Sequence, residues 1–160
     1  MSALKDQLRA DLTTSMKARD ELRTATLRMA LAAVTTEEVA GKSARALSDG
    51  DVLRVLAREA KKRREAAAAF DAGGRGELAT RERAEAAVLN TYLPTPLTDD
   101  ELAAMVRTAI IASGATGSQQ VGQVMKAVTG PVAGRADGAR LAAEVRRQLA
   151  AAGAGRSADQ

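Results

Sequence analysis

Alanine occupies 37 of the 160 positions, and this narrows the fold more than any other feature of the chain. A methyl side chain adds little volume to a core and offers none of the branched or aromatic surface that strands favour. It is also the best helix former. Aromatic residues make up 1% of the chain, a single Phe and a single Tyr, so large rings cannot fill the gap. Leu, Arg and Glu, which also favour helix, fill much of the rest, and only three prolines interrupt them. The chain is therefore expected to be all-α. With zero cysteines, helix packing alone must hold it, and disulfides play no part.

The absence of histidine and cysteine also limits chemistry. It removes thiol nucleophiles, Ser-His-Asp and Cys-His arrangements, and zinc sites built on imidazole or thiolate. No catalytic residue, metal site or cofactor is expected. No run approaches the roughly 18 apolar residues of a membrane span. The start, Met1-Ser2-Ala3-Leu4-Lys5-Asp6, lacks a signal-peptide core, so a cytoplasmic protein is expected. The net charge of +4, with 18 arginines among 24 cations, suits a phosphate-bearing partner.

The hydrophobic spacing predicts four helices in an N-terminal subdomain over residues 1–91. The first covers about Ala3 to Lys17 on Leu4, Leu8, Leu12 and Met16. Asp20 is expected to cap a second from about Glu21 to Val39, buried through Leu22, Met29, Ala30, Ala33 and Val34. Ser48 and Asp51 start a third, to about Phe70, with Leu53, Leu56, Ala60, Ala67 and Phe70 inward. After Gly73 and Gly74 a fourth runs to about Asn90 on Leu78, Val88 and Leu89.

Tyr92-Leu93-Pro94-Thr95-Pro96-Leu97 cannot continue a helix. Residues 92–97 are expected to form a proline-rich linker. A C-terminal three-helix bundle is expected over residues 98–151. Thr98 and Glu101 open its first helix, about Asp99 to Ser113. A short helix follows, about Ser118 to Val128, then a loop from Gly130 to Gly138. A last helix, capped by Asp137, is expected to end near Ala151, before a disordered tail at 152–160.

Several motifs fall in a telling order. Arg58-Glu59-Ala60-Lys61-Lys62-Arg63-Arg64-Glu65, the Gly73-Gly74-Arg75 break and Glu82-Arg83-Ala84-Glu85 lead into Tyr92-Leu93-Pro94. Gly122-Gln123-Val124-Met125-Lys126 and Gly134-Arg135-Ala136-Asp137-Gly138 follow. Together they resemble the YqeY-like proteins of the GatB/YqeY domain family, over about residues 1 to 150. The resemblance implies a two-part helical fold. It also implies similarity to the C-terminal tail of the B subunit of the tRNA-dependent amidotransferase, the part that helps to hold tRNA. The chain departs from the family pattern at Gly130-Pro131, Ala139 and Ala66. The expected function is a non-catalytic tRNA-binding or tRNA-enzyme accessory module, with tRNA and an aminoacyl-tRNA-handling enzyme as partners. The alternatives are a helical protein-interaction module with incidental charge, and carbon–nitrogen ligase activity only in complex with other subunits.

Two basic constellations are candidates for phosphate contact. In the C-terminal part, Lys126, Arg135, Arg140, Arg146 and Arg147 face only Asp137 and Glu144. The Gly134 to Gly138 turn there opens a helix N-terminus, which binds anions unless Asp137 caps it first. In the third helix, Arg58, Lys61 and Lys62 share a face with Arg54, and Arg63 and Arg64 are expected to widen it. Glu82 and Glu85 share a helix face, with ion pairing to Arg81 and Arg83 the simpler expectation. Gly41-Lys42-Ser43 imitates the end of a P-loop, but Thr36 stands where its first glycine belongs.

Overall fold

Local signals place most helix starts. A computed structural model describes residues 2–157. Ser2 caps α1 (Ala3–Lys17) by accepting from the Lys5 N–H, and Asp20 caps α2 (Glu21–Val39) through the Arg23 N–H. Reciprocal capping boxes, Ser48 with Asp51 and Thr98 with Glu101, open α3 (Asp49–Ala72) and α5 (Asp99–Ser113). Between them α4 spans Gly76–Asn90. A 3-10 turn at Ser118–Gln120 leads into α6 (Val121–Val132), and α7 spans Gly138–Ser157. The described residues are all-α, with no strand. No helix among them is long and apolar enough to cross a membrane.

Two boundaries differ from expectation. α6 continues through Pro131 to Val132, where a loop was expected from Gly130. Proline removes one N–H, but here it stands in the last turn. Buried Val132 anchors that turn, and Ala133 in the left-handed region, at φ 50°, ends it. α7 passes Ala151 and reaches Ser157, into the stretch expected to be disordered. Gly153 and Gly155 each cost about 1 kcal/mol against alanine, which weakens a helix without stopping it. Residues 158–160 of the expected tail lie outside the described residues.

The chain divides into two compact units, one ending at Leu93 and the other beginning at Pro94. The first unit packs α1 to α4 around Leu8, Leu27, Ala30, Val34, Leu47, Val52, Val55, Leu56, Ala60 and Leu89. Met16, Met29 and Leu78, expected inward, are exposed. On α2 the buried face is Thr26, Leu27, Ala30 and Val34, so the helix is turned away from Met29. Leu78 lies outside because residues 64–84 contribute nothing to that core. In that stretch α3 and α4 form a two-helix arm in which Ala67 and Ala79 are the buried apolar residues.

Tyr92 and Leu93, expected in the linker, pack against the first unit's core. The Tyr92 hydroxyl donates to Asp11 Oδ2 at 2.5 Å and accepts from Arg23 Nη2 at 3.1 Å, tying the end of α4 to α1 and α2. Leu97 is buried in the second unit's core, with Leu102, Val106, Val124, Val128, Val132, Leu141, Val145 and Leu149.

Burial, then the hydrogen bond to Asp11, pushes the Tyr92 hydroxyl up to about 12. Because the raised value favours the neutral phenol, its contribution is full below the unfolded value of 10.0 and is lost as pH rises through the folded value. Tyr92 is the sole tyrosine and tryptophan is absent, so tyrosinate absorbance reports it alone. The absorbance should rise near pH 12 in the native protein and near pH 10 in concentrated urea. Coincident titrations would refute the Tyr92–Asp11 contact.

Candidate nucleic-acid interface

α3 buries Val52, Val55, Leu56, Ala60, Arg63 and Ala67, and this register fixes what it shows outward. Arg54, Arg58, Lys61 and Lys62 are all exposed. At 100° per residue they fall within an arc of about 100°, over a rise of about 12 Å. Arg64 is exposed beside them.

Arg63 does not widen this face as expected. It is buried, at 5% exposure, and turned inward to acids. Its Nη1 donates to Glu59 Oε2 at 3.1 Å, and its Nη2 donates to the Met29 sulfur at 3.4 Å. Its Nε stands 3.3 Å from Glu85 Oε2, close enough for charge attraction but without hydrogen-bond alignment. Glu85 also takes Arg81, while Arg83 pairs with Asp71. Of the expected pairing, Arg81 with Glu85 is present, but Arg83 turns to Asp71 and Glu82 has no cation partner among the described residues; the second arginine on Glu85 is Arg63 from α3.

The outward cations differ in what holds them. Arg54 pairs with Asp51, Arg58 Nη2 donates to Glu37 Oε2 at 2.7 Å, and Lys62 Nζ donates to Glu59 Oε1 at 3.0 Å. Lys61 and Arg64 have no carboxylate partner among the described residues. Asp51 is held well below the usual carboxylate range, first by the backbone and hydroxyl of Ser48 and then by Arg54. Glu59 is lowered despite its burial, because Lys62 and Arg63 both donate to it.

The five C-terminal candidates separate into two kinds. Arg135 Nε donates to the Thr95 carbonyl at 2.9 Å, while its own carbonyl accepts from the Leu97 N–H at 2.8 Å. Arg140 Nη1 donates to the Leu97 carbonyl and Nη2 to Asp99 Oδ1, both at 2.7 Å. These two arginines strap residues 95–99 onto the turn before α7. Arg147 grips Glu144 with two bonds, at 2.9 and 2.6 Å. That grip, helped by Gln148, lowers Glu144 to about 2. Lys126 and Arg146 are exposed and unpaired among the described residues. The turn at Gly134 to Gly138 is capped: Asp137 Oδ1 accepts from the Arg140 N–H at 2.7 Å, so a carboxylate already stands where a phosphate would dock. Sequence reading passed over Arg107, an exposed cation on α5 whose charge reaches Glu144. Its only signal is its place on the polar face of an amphipathic helix.

The described residues thus define an all-helical protein of two packed units that carries a row of exposed cations on α3. The chain belongs to the YqeY-like protein family, whose model matches residues 5–149. Comparison with curated proteins found no significant match.

Strapping and unpaired arginines should respond differently to neutralisation. Arg140→Gln leaves the Leu97 carbonyl and Asp99 without their donor and should cost about 1–2 kcal/mol of stability. Arg146→Gln should stay within about 0.5 kcal/mol of the parent, as surface changes do. Urea denaturation of the two variants checks this, and equal midpoints would refute the strap.

Proposed function

We propose that the chain is a non-catalytic tRNA-binding or tRNA-enzyme accessory module working in the cytoplasm. The observation that carries the reading is the outward row on α3, Arg54, Arg58, Lys61 and Lys62, with Arg64 at its flank. A row of cations on a rigid helix neutralises successive phosphates and releases their counterions. It reads shape and backbone, not bases. No aromatic platform stands beside it: Tyr92 is tied to Asp11 and Arg23, and Phe70 is half-buried. A folded, largely double-helical RNA such as tRNA fits such a surface better than a single strand does. Within the second unit, Lys126, Arg146 and Arg107 are exposed and without a carboxylate partner among the described residues, and they support the same reading. Arg135, Arg140 and Arg147 serve the fold first.

A second reading, docking of a protein partner, is favoured by Ile111, which stands 75% exposed on α5. Such docking would be insensitive to salt.

The test is binding of the purified protein to total tRNA and to same-length duplex DNA at several salt concentrations. Binding should prefer tRNA and weaken steeply with salt. The double variant Lys61→Glu, Arg64→Glu should lose about tenfold or more in affinity with an unchanged helical spectrum, since neither residue supports the core. Unchanged affinity in a folded double variant would overturn the reading. Loss of Ile111→Asp binding to a protein partner, with no tRNA binding, would favour the second.

A further inference from the structure

Three of the outward α3 cations already hold a carboxylate, but the three carboxylates are not equivalent. Asp51 belongs to the capping box that starts α3, and its bond to Arg54 is secondary to that role. Glu59 holds the buried Arg63 as well as Lys62. The Glu37 side chain engages Arg58 alone among the described residues. It comes from a different helix, α2, and both members of the pair reach solvent, with Arg58 at 59% and Glu37 at 34% side-chain exposure.

Glu37 also stands where α2 gains nothing from an acid. It lies in the last turn of α2, beside Glu38, and that turn holds no basic residue. The carbonyl end of a helix carries partial negative charge, so carboxylates there are unfavourable. Glu38 is compensated by Lys5 at 2.5 Å. The compensation for Glu37 is Arg58.

We propose that Glu37 is an internal competitor for phosphate at Arg58, so that a phosphodiester backbone binds α3 by displacing it. The proposal rests on the α3 reading above and names the residue that sets its affinity. Lys61 and Arg64 offer open positions for first contact. Arg58 joins when a phosphate oxygen takes the place of Glu37 Oε2. No covalent step is involved; one acceptor of the guanidinium replaces another.

The experiment compares the full chain with Glu37→Gln, Arg58→Gln, the Glu37→Gln, Arg58→Gln double variant and the control Glu77→Gln. Glu77 is an exposed acid in the first turn of α4, away from Arg58. The probe is a mixed-sequence duplex RNA, titrated at several salt concentrations. Glu37→Gln should bind about two- to fivefold tighter, the range of a surface pair released. Its salt dependence should stay close to the parent's, since Arg58 meets a phosphate in both, whereas Arg58→Gln should flatten it by about one phosphate contact. Its thermal midpoint should not fall, because the change also relieves the conflict with the helix dipole. The gain should vanish in the Arg58→Gln background. A gain no larger than that of Glu77→Gln, or one that persists without Arg58, would overturn the proposal. If the Lys61→Glu, Arg64→Glu variant still loses binding in that case, the α3 reading survives alone. If neither the parent nor Glu37→Gln binds the duplex, both fail together.

Discussion

The close antiparallel contact between α3 and α4 is the interaction on which the first unit depends. Its buried apolar positions include Ala60 and Ala67 on α3 and Ala79 and Ala86 on α4, seven apart on each helix. A seven-residue repeat keeps one seam facing the partner, and methyl groups at the seam let the helix axes approach. Little apolar area is removed from water by so thin a seam. The Arg63–Glu85 pair is set into it, with Glu59 and Arg81 alongside. A buried pair of this kind adds little net stability over apolar side chains, but removing one member is costly. It therefore discriminates against slipped registers, which would leave Arg63 without its acids.

That thin seam has a consequence for the surface. With alanine at the seam there is room inside for one long polar side chain, Arg63, and only because Glu59 and Glu85 meet it; the other arginines and lysines of α3 point outward. The same register that buries Ala60 and Ala67 presents Arg54, Arg58, Lys61 and Lys62 on the opposite side. Packing and the cationic face are thus two results of one helical phase. Rotation of α3 by a single residue would bury Lys61 or Lys62, and an unpaired buried ammonium is far more costly than any gain in alanine contact.

Much of this was legible in the sequence, for identifiable reasons. Helix starts are encoded by local side-chain chemistry, so Ser48 with Asp51 and Thr98 with Glu101 marked them correctly. The all-α class followed from alanine. The faces were harder to read. In α2, adjacent Met29 and Ala30 were both expected inward; the packed structure buries Ala30 and leaves Met29 exposed to accept a bond from Arg63. In α4 the expected Leu78 lies beyond the core, and the buried positions are Ala79, Glu85, Ala86 and Leu89. Alanine carries too little contrast for periodicity to show which face is inside. The burial of Arg63 had no signal in a run of four consecutive cations. It becomes visible only when Glu85 arrives from another helix.

The same limit governs the candidate site. A count of charges treats the arginines of the second unit as equivalent, yet Arg135 and Arg140 end on carbonyls of residues 95–99 that no sequence pattern advertises. Thr95 precedes Pro96, and Pro96 has no N–H of its own to offer a neighbour, so backbone hydrogen bonding there is sparse. Arginine, with five donors in a fixed fork, is suited to collecting such scattered acceptors. An arginine near a proline-rich connection is therefore weaker evidence for a phosphate than one on an uninterrupted helix face. By that argument the proposed phosphate contact rests first on α3 and, within the second unit taken by itself, on the exposed cations Lys126, Arg146 and Arg107, which have no carboxylate partner among the described residues.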